Sequence, residues 1–187
     1  MRKLFILIGL FFAISLSGQV VKTSVVYAQP SGGGTDTYGD CDNATADTYI
    51  GADYIWYFQL TVTLGGTITQ FETYCGADAG GGNGLKIAVY SDNADLPNAL
   101  IANGTANEIQ LTHNSNNVIT FTINPSVLST TKYWIAFKVE SNNYLQEGTG
   151  SILTKYEDAA YAAAFPATAT PSAYTARDLK YCITVQH

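Results

Sequence analysis

Two stretches of the chain crowd oxygen ligands. Asp36, Asp40, Asp42 and Asp47 lie close together, and Asp92, Asn93 and Asp95 form a second group. Calcium collects about 6–8 oxygens from carboxylates and carbonyls. Asp40, Asp42, Asp47, Asp92 and Asp95 are therefore the candidate ligands of a structural calcium. Neither stretch has the EF-hand pattern, and Asp and Asn in turns commonly bond their own backbone, which is the favoured reading. The two histidines, His113 and His187, have no neighbouring Ser, Cys or carboxylate in a triad-like pattern, and no G-x-S-x-G occurs. Zinc has no close Cys/His spacing to hold it. Carboxylate pairs for glycoside hydrolysis can form in space, but the acids here cluster in loops. No catalytic residue is assigned, and the chain is read as a non-enzyme.

Aromatic residues give the one hint of a ligand. Tyr numbers 13 against 9 Lys and Arg together. Trp134, Ile55 and Tyr57 fall opposite the apolar faces of their segments, and sugars stack their C–H faces on exposed rings. Trp134 and Tyr57 are thus the candidate glycan contacts. The competing and favoured fate is that a loop such as Asn142–Tyr161 covers them. Asn43-Ala44-Thr45 and Asn103-Gly104-Thr105 are glycosylation sequons, consistent with surface loops at Asn43 and Asn103.

The elements that must position these residues are strands. Leu85, Ile87 and Val89 alternate with Lys86, Ala88 and Tyr90, the period of a half-buried strand. Ser91–Asp95 breaks the pattern, and Pro97 is expected to keep the chain from pairing again at once. Asp53–Thr63 places Tyr54, Trp56, Phe58, Leu60 and Val62 on one face. Thr67–Cys75 aligns Phe71, Thr73 and Cys75 but leaves Ile68 out of phase, which calls for a bulge. Short strands are expected at Thr37–Cys41, Ala99–Ala102 and Glu108–Thr112. His113–Asn117 reads as a turn, and Val118–Ile123 as a strand with Ile119, Phe121 and Ile123 inward. Lys132–Glu140 and Leu179–Val185 alternate cleanly. Asn142–Ala176 is looser, with a hairpin at Ser151–Tyr156 and a long loop. Many short strands without a useful amphipathic helix predict an all-β, two-layer antiparallel sandwich.

The N-terminus carries an address. Arg2 and Lys3 precede the apolar run Leu4–Leu16, and Val26-Tyr27-Ala28 suits signal-peptide cleavage, so residues 1–28 are read as leaving on export. Cleavage after Gly18 is the alternative. It would leave Gln19–Ala28, whose alternating Val, Thr and Tyr suit a donated strand, ahead of the flexible segment 29–37 and a domain at 38–187. No later stretch reaches the roughly 20 apolar residues of a membrane helix. Without residues 1–28 the net charge falls from −6 to about −9, a surface that repels nucleic-acid phosphates.

The segments ADYIWYFQLTV, GTITQF, LKIAVYSDN, TTKYWIAF and RDLKYCITV follow one another as in a known group of domains. They resemble secreted jelly-roll-like β-sandwich modules of prokaryotic and phage surface proteins, where an "aIYSDn" strand end runs into a Pro-containing loop. The resemblance covers nearly the whole exported chain. It implies a jelly-roll-like sandwich used in cell-surface, filament or glycan-associated proteins. Its motifs are core strands and turns and carry no chemistry. Three cysteines in an exported chain leave one over. Parity turns Cys182 and Cys41 outward and Cys75 inward, and the first and last strands of such sandwiches tend to be neighbours. The expected bridge is Cys41–Cys182. The function expected from all this is a secreted, non-catalytic structural or assembly protein, with a carbohydrate-binding module as the alternative.

Overall fold

A computed structural model describes residues 33–41, 47–77, 81–148, 153–175 and 179–187. In chain order its strands are β1 (Thr35–Asp40), β2 (Asp47–Ile50), β3 (Tyr54–Val62), β4 (Gly66–Cys75), β5 (Gly84–Asp92), β6 (Pro97–Thr105), β7 (Ile109–Gln110), β8 (Ser115–Ile119), β9 (Ser126–Val127), β10 (Thr131–Val139), β11 (Asn143–Gln146), β12 (Thr154–Asp158), β13 (Ala173–Thr175) and β14 (Tyr181–Gln186). Among the described residues there is no helix.

The strands form two antiparallel sheets. The first runs β1-β14-β4-β11-β2, with β8 and β9 also on β4; the second runs β13-β12-β3-β10-β5-β6, with β7 on β5. Phe71 pairs with Ile183 of β14 on one side and Ile119 of β8 on the other. Leaving aside the short or peripheral strands β2, β7, β9 and β11–β13, the other eight lie β1-β14-β4-β8 in one sheet and β3-β10-β5-β6 in the other. Numbered by chain order among themselves, they read 1-8-3-6 and 2-7-4-5, which is the double Greek key of a jelly roll.

Alternation builds the core between the sheets. Trp56, Phe58, Leu60 and Val62 of β3 face Ile68 and Phe71 of β4 and Tyr181 and Ile183 of β14, all buried. Rings interlock there: Phe137 meets Phe58 edge-on at 5.3 Å and Phe71 at 5.2 Å, and Phe71 stacks on Tyr181 at 5.9 Å. Such pairs add about 0.5–1.5 kcal/mol beyond the area they bury. The bulge expected at Ile68 is present. Thr184 pairs with Gln70 but Val185 with Ile68, leaving Thr69 as the extra residue that returns Ile68 to the core.

The central strand is not half-buried. The outer face of the second sheet carries Ile55, Tyr57, Ala88, Tyr90, Trp134 and Ala136, all buried, with Leu100, Leu153, Ala159, Phe165 and Ala169 packed over them. Residues 159–170 form a strap across this face. Tyr90 donates its hydroxyl to Pro166 O at 2.7 Å, Lys138 Nζ reaches Ala163 O at 2.8 Å, and Ala169 N reaches Asn98 O at 2.7 Å. A parity reading assigns a face but not what lies upon it.

Other expectations are corrected by the pairing. Pro97 does not delay pairing: it opens β6 opposite Asp92, because a first-strand position asks nothing of the missing N–H. Asn93 and Leu96 exchange backbone bonds at 2.9 and 3.2 Å, so the turn holds only Ala94 and Asp95. The strand placed at Val118–Ile123 is instead Ser115–Ile119, and Ile123 is 61% exposed, since the chain has already left the sheet. β1 begins at Thr35, inside the segment read as a linker. Ser151 and Ile152 of the expected Ser151–Tyr156 hairpin lie outside the described residues; from Thr154 on, β12 pairs with β3 and β13. Within the looser Asn142–Ala176 stretch, Asn143–Gln146 is a strand, β11, paired with β2.

Candidate functional site

Cys41 and Cys182 are bridged, with Cα atoms 5.0 Å apart. The bond follows from register: β1 and β14 pair over their whole length, Gly39 opposite Cys182 and Asp40 opposite Tyr181, which brings Cys41 alongside. Gly39 has φ +104°, and a Cβ there would stand 2.5 Å from Tyr181 O, so only glycine passes this crossing. Cys75 is buried as a thiol and donates to Tyr144 O at 3.5 Å. Beside the disulfide lies a shallow cleft walled by Asp40, Glu72, Asn116 and Lys180.

The acidic candidates are dispersed. Asp40 borders that cleft, Asp47 accepts from Ala77 N at 3.4 Å, and Asp42 and Asn43 lie outside the described residues. Asp92 and Asp95 sit on the β5–β6 hairpin of the other sheet and serve its turn. Asp92 Oδ1 accepts Trp134 Nε1 at 2.7 Å and Gln59 Nε2 at 3.0 Å, and its Oδ2 accepts Asp95 N at 3.3 Å. Asp95 pairs with Lys132 and accepts Gln59 Nε2 at 3.0 Å, and these contacts hold its carboxyl below the usual range. Among the described residues no three His, Cys, Asp or Glu side chains gather into a metal cage. Asn103 is exposed at φ +59°, where β6 bulges away from β5.

Trp134 and Tyr57 are fully buried beneath the strap, the covered fate. Their surroundings form a polar seam inside an apolar layer. Tyr57 donates to Glu157 Oε1 at 2.8 Å, while Glu157 Oε2 accepts from Thr170 N at 2.6 Å and Thr170 Oγ1 at 3.2 Å. Burial, reinforced by the Tyr90 and Glu157 neighbours, pushes the Tyr57 phenol far up, and burial raises Tyr90 as well. Burial, with Lys86 nearby, lowers the Lys138 ammonium. This seam, buried between the sheet and the strap, locks a layer in place.

The residues that reading the sequence missed are on the first sheet. Cys75 and Leu145 pair and point inward, so Tyr74 and Tyr144 point outward; Tyr144 is paired with Tyr49, which is 41% exposed. Tyr49 and Tyr144 meet edge-on at 5.8 Å, and Lys180 Nζ stands 5.3 Å from the Tyr74 ring centroid. Parity within Thr67–Cys75 already turned Tyr74 outward. Tyr49 and Tyr144 lay in strands of four residues, too short for a period to show. No protein-family model, no curated protein and no solved structure matches this chain.

Proposed function

We propose that the chain is an exported, non-catalytic structural module of the cell exterior, and that, with cleavage after Gly18, its copies join by donating the strand-like stretch Gln19–Ala28. The observation that carries this reading is the Cys41–Cys182 bond, which closes the first strand onto the last. Such bonds persist in oxidising surroundings, in keeping with the leader-like Arg2-Lys3 and the apolar run behind it. Asp92 and Asp95, two of the calcium candidates, fasten a hairpin instead, and Glu157 and Lys138 fasten the strap.

Assembly has an acceptor edge to work with. Among the described residues β8 pairs with β4 alone, leaving its other side as a row of backbone donors and acceptors. A donated strand satisfies them, and a head-to-tail contact that does not close grows into a filament. N-terminal sequencing and electron microscopy of the exported protein test the reading together. Filaments whose chains begin at Gln19, and which vanish when residues 19–28 are deleted from a still folded protein, are the expected result. A chain that begins at Gln29, or remains monomeric, overturns strand donation.

A further inference from the structure

We propose that the outward face of the first sheet, across β2, β11, β4 and β8, binds a neutral polysaccharide. The inference needs no assembly of copies and stands on side-chain placement alone. Alternation turns Tyr49 of β2, Tyr144 of β11 and Tyr74 of β4 to the same side, away from the buried Ile50, Leu145 and Cys75. Asn116 of β8 is paired with Tyr74 and continues the row. Four neighbouring strands at about 4.8 Å spacing make the row about 14 Å across, room for several linked sugar rings.

The chemistry of the row is that of sugar recognition. A sugar ring offers an apolar C–H face and a rim of hydroxyls. Tyrosine matches both, with a flat ring to cover the first and a hydroxyl to bond the second. The rings are held ready: Tyr49 and Tyr144 brace one another edge-on, and the Lys180 ammonium stands over Tyr74. Amide and carboxylate groups line the way toward the cleft beside the disulfide, with Gln146 outward on β11, Asn116 exposed, and Glu72 and Asp40 at the cleft wall. Two carboxylates against the single Lys180 ammonium in that cleft, on a protein of net charge −6, disfavour uronic acids and sulfated sugars. The covered Trp134 face of the other sheet offers none of this access.

Affinity electrophoresis of the exported protein in native gels tests the proposal, with hydroxyethylcellulose, dextran or mannan as neutral probes and alginate as the acidic one. Retardation by at least one neutral polymer and none by alginate is expected. Tyr74→Ala and Tyr144→Ala should each weaken it about tenfold, as when a buried Tyr contact is truncated, and Tyr→Phe at either position should weaken it less, since the ring face stays and only the hydroxyl bond is lost. Tyr49→Ala, at the most exposed of the three, gives the same reading if alanine at the other positions lowers the folded yield. Retardation by no neutral polymer, retardation unchanged by the alanine variants, or preference for alginate overturns the proposal. Self-association lost in the same variants without any saccharide effect overturns it in favour of a second copy of this chain.

Discussion

Tyr57 and Glu157, 100 residues apart in the chain, share a hydrogen bond of 2.8 Å in a layer otherwise made of Ile55, Tyr90, Trp134 and Ala136. The bond exists because β12 pairs with β3, placing Lys155 opposite Tyr57 and Glu157 opposite Ile55. It ties the strap's supporting strand to the sheet that the strap covers. Tyr57→Phe leaves Glu157 with Thr170 alone, at a cost of about 1–3 kcal/mol for the lost partner of a buried carboxylate. The alkaline limb should change with it. Tyr57 and Tyr90 hold their protons more tightly folded than at the ordinary value of 10.0. Their support is therefore complete below about pH 10 and drains as the pH climbs past it, by about 1.4 kcal/mol per pH unit for each phenol. Denaturant melts from pH 8 to 12, read beside tyrosinate absorbance, should show a steeper loss in the parent than in Tyr57→Phe.

Ala94 and Asp95 both adopt positive φ, +52° and +62°, as a two-residue type I′ hairpin demands. Asp tolerates this and Ala does not. Ala94→Gly should stabilise the protein by about 0.5–1 kcal/mol, since relief of the backbone outweighs the extra freedom of the unfolded chain. Thermal melts should show a rise of about 2–4 °C. A fall would mean that the hairpin is not type I′ in solution.

Asp92→Ala removes the acceptor of a buried indole N–H. The orphaned donor should cost about 1–3 kcal/mol, and tryptophan emission should shift as Trp134 loosens. Because the Asp92 and Asp95 oxygens already accept from Trp134, Gln59 and Lys132, a chelator should leave the melting temperature of the parent unmoved. A drop restored by calcium in the parent but not in Asp92→Ala would assign that hairpin an ion.

Non-reducing peptide mapping should recover Cys41 joined to Cys182, and thiol labelling of the folded protein should miss Cys75, which is buried. Replacing both bridge cysteines by Ser should lower stability by about 3–5 kcal/mol, the range for closing so long a loop.

The layered core was legible because β3, β5, β10 and β14 keep a strict period of two over six or nine residues, and each such period names its inward face. The disulfide was legible by the same parity together with the neighbouring first and last strands. What lay on the outer face of Trp134 was not, because its cover comes from Phe165 and Ala169, distant residues in an Ala/Thr-rich stretch without any period. The tyrosine row was hidden for a related reason. Its members come from three strands, and two of those are four residues long and hold their shape through pairing with each other and with β4.

The disulfide also decides how this protein meets tension. A pull arriving along the backbone at Gly33 runs through β1 to Cys41, crosses the sulfur bond, and leaves along β14. The 141-residue separation between the two cysteines then bears none of the load, and the sandwich hangs beside the line of force as a sealed loop. Stretched between handles on its first and last described residues, the oxidised protein should lengthen only by the slack of two short strands. Under reductant the same pull should draw out about 500 Å more, the extended length of the chain that the bond had held aside.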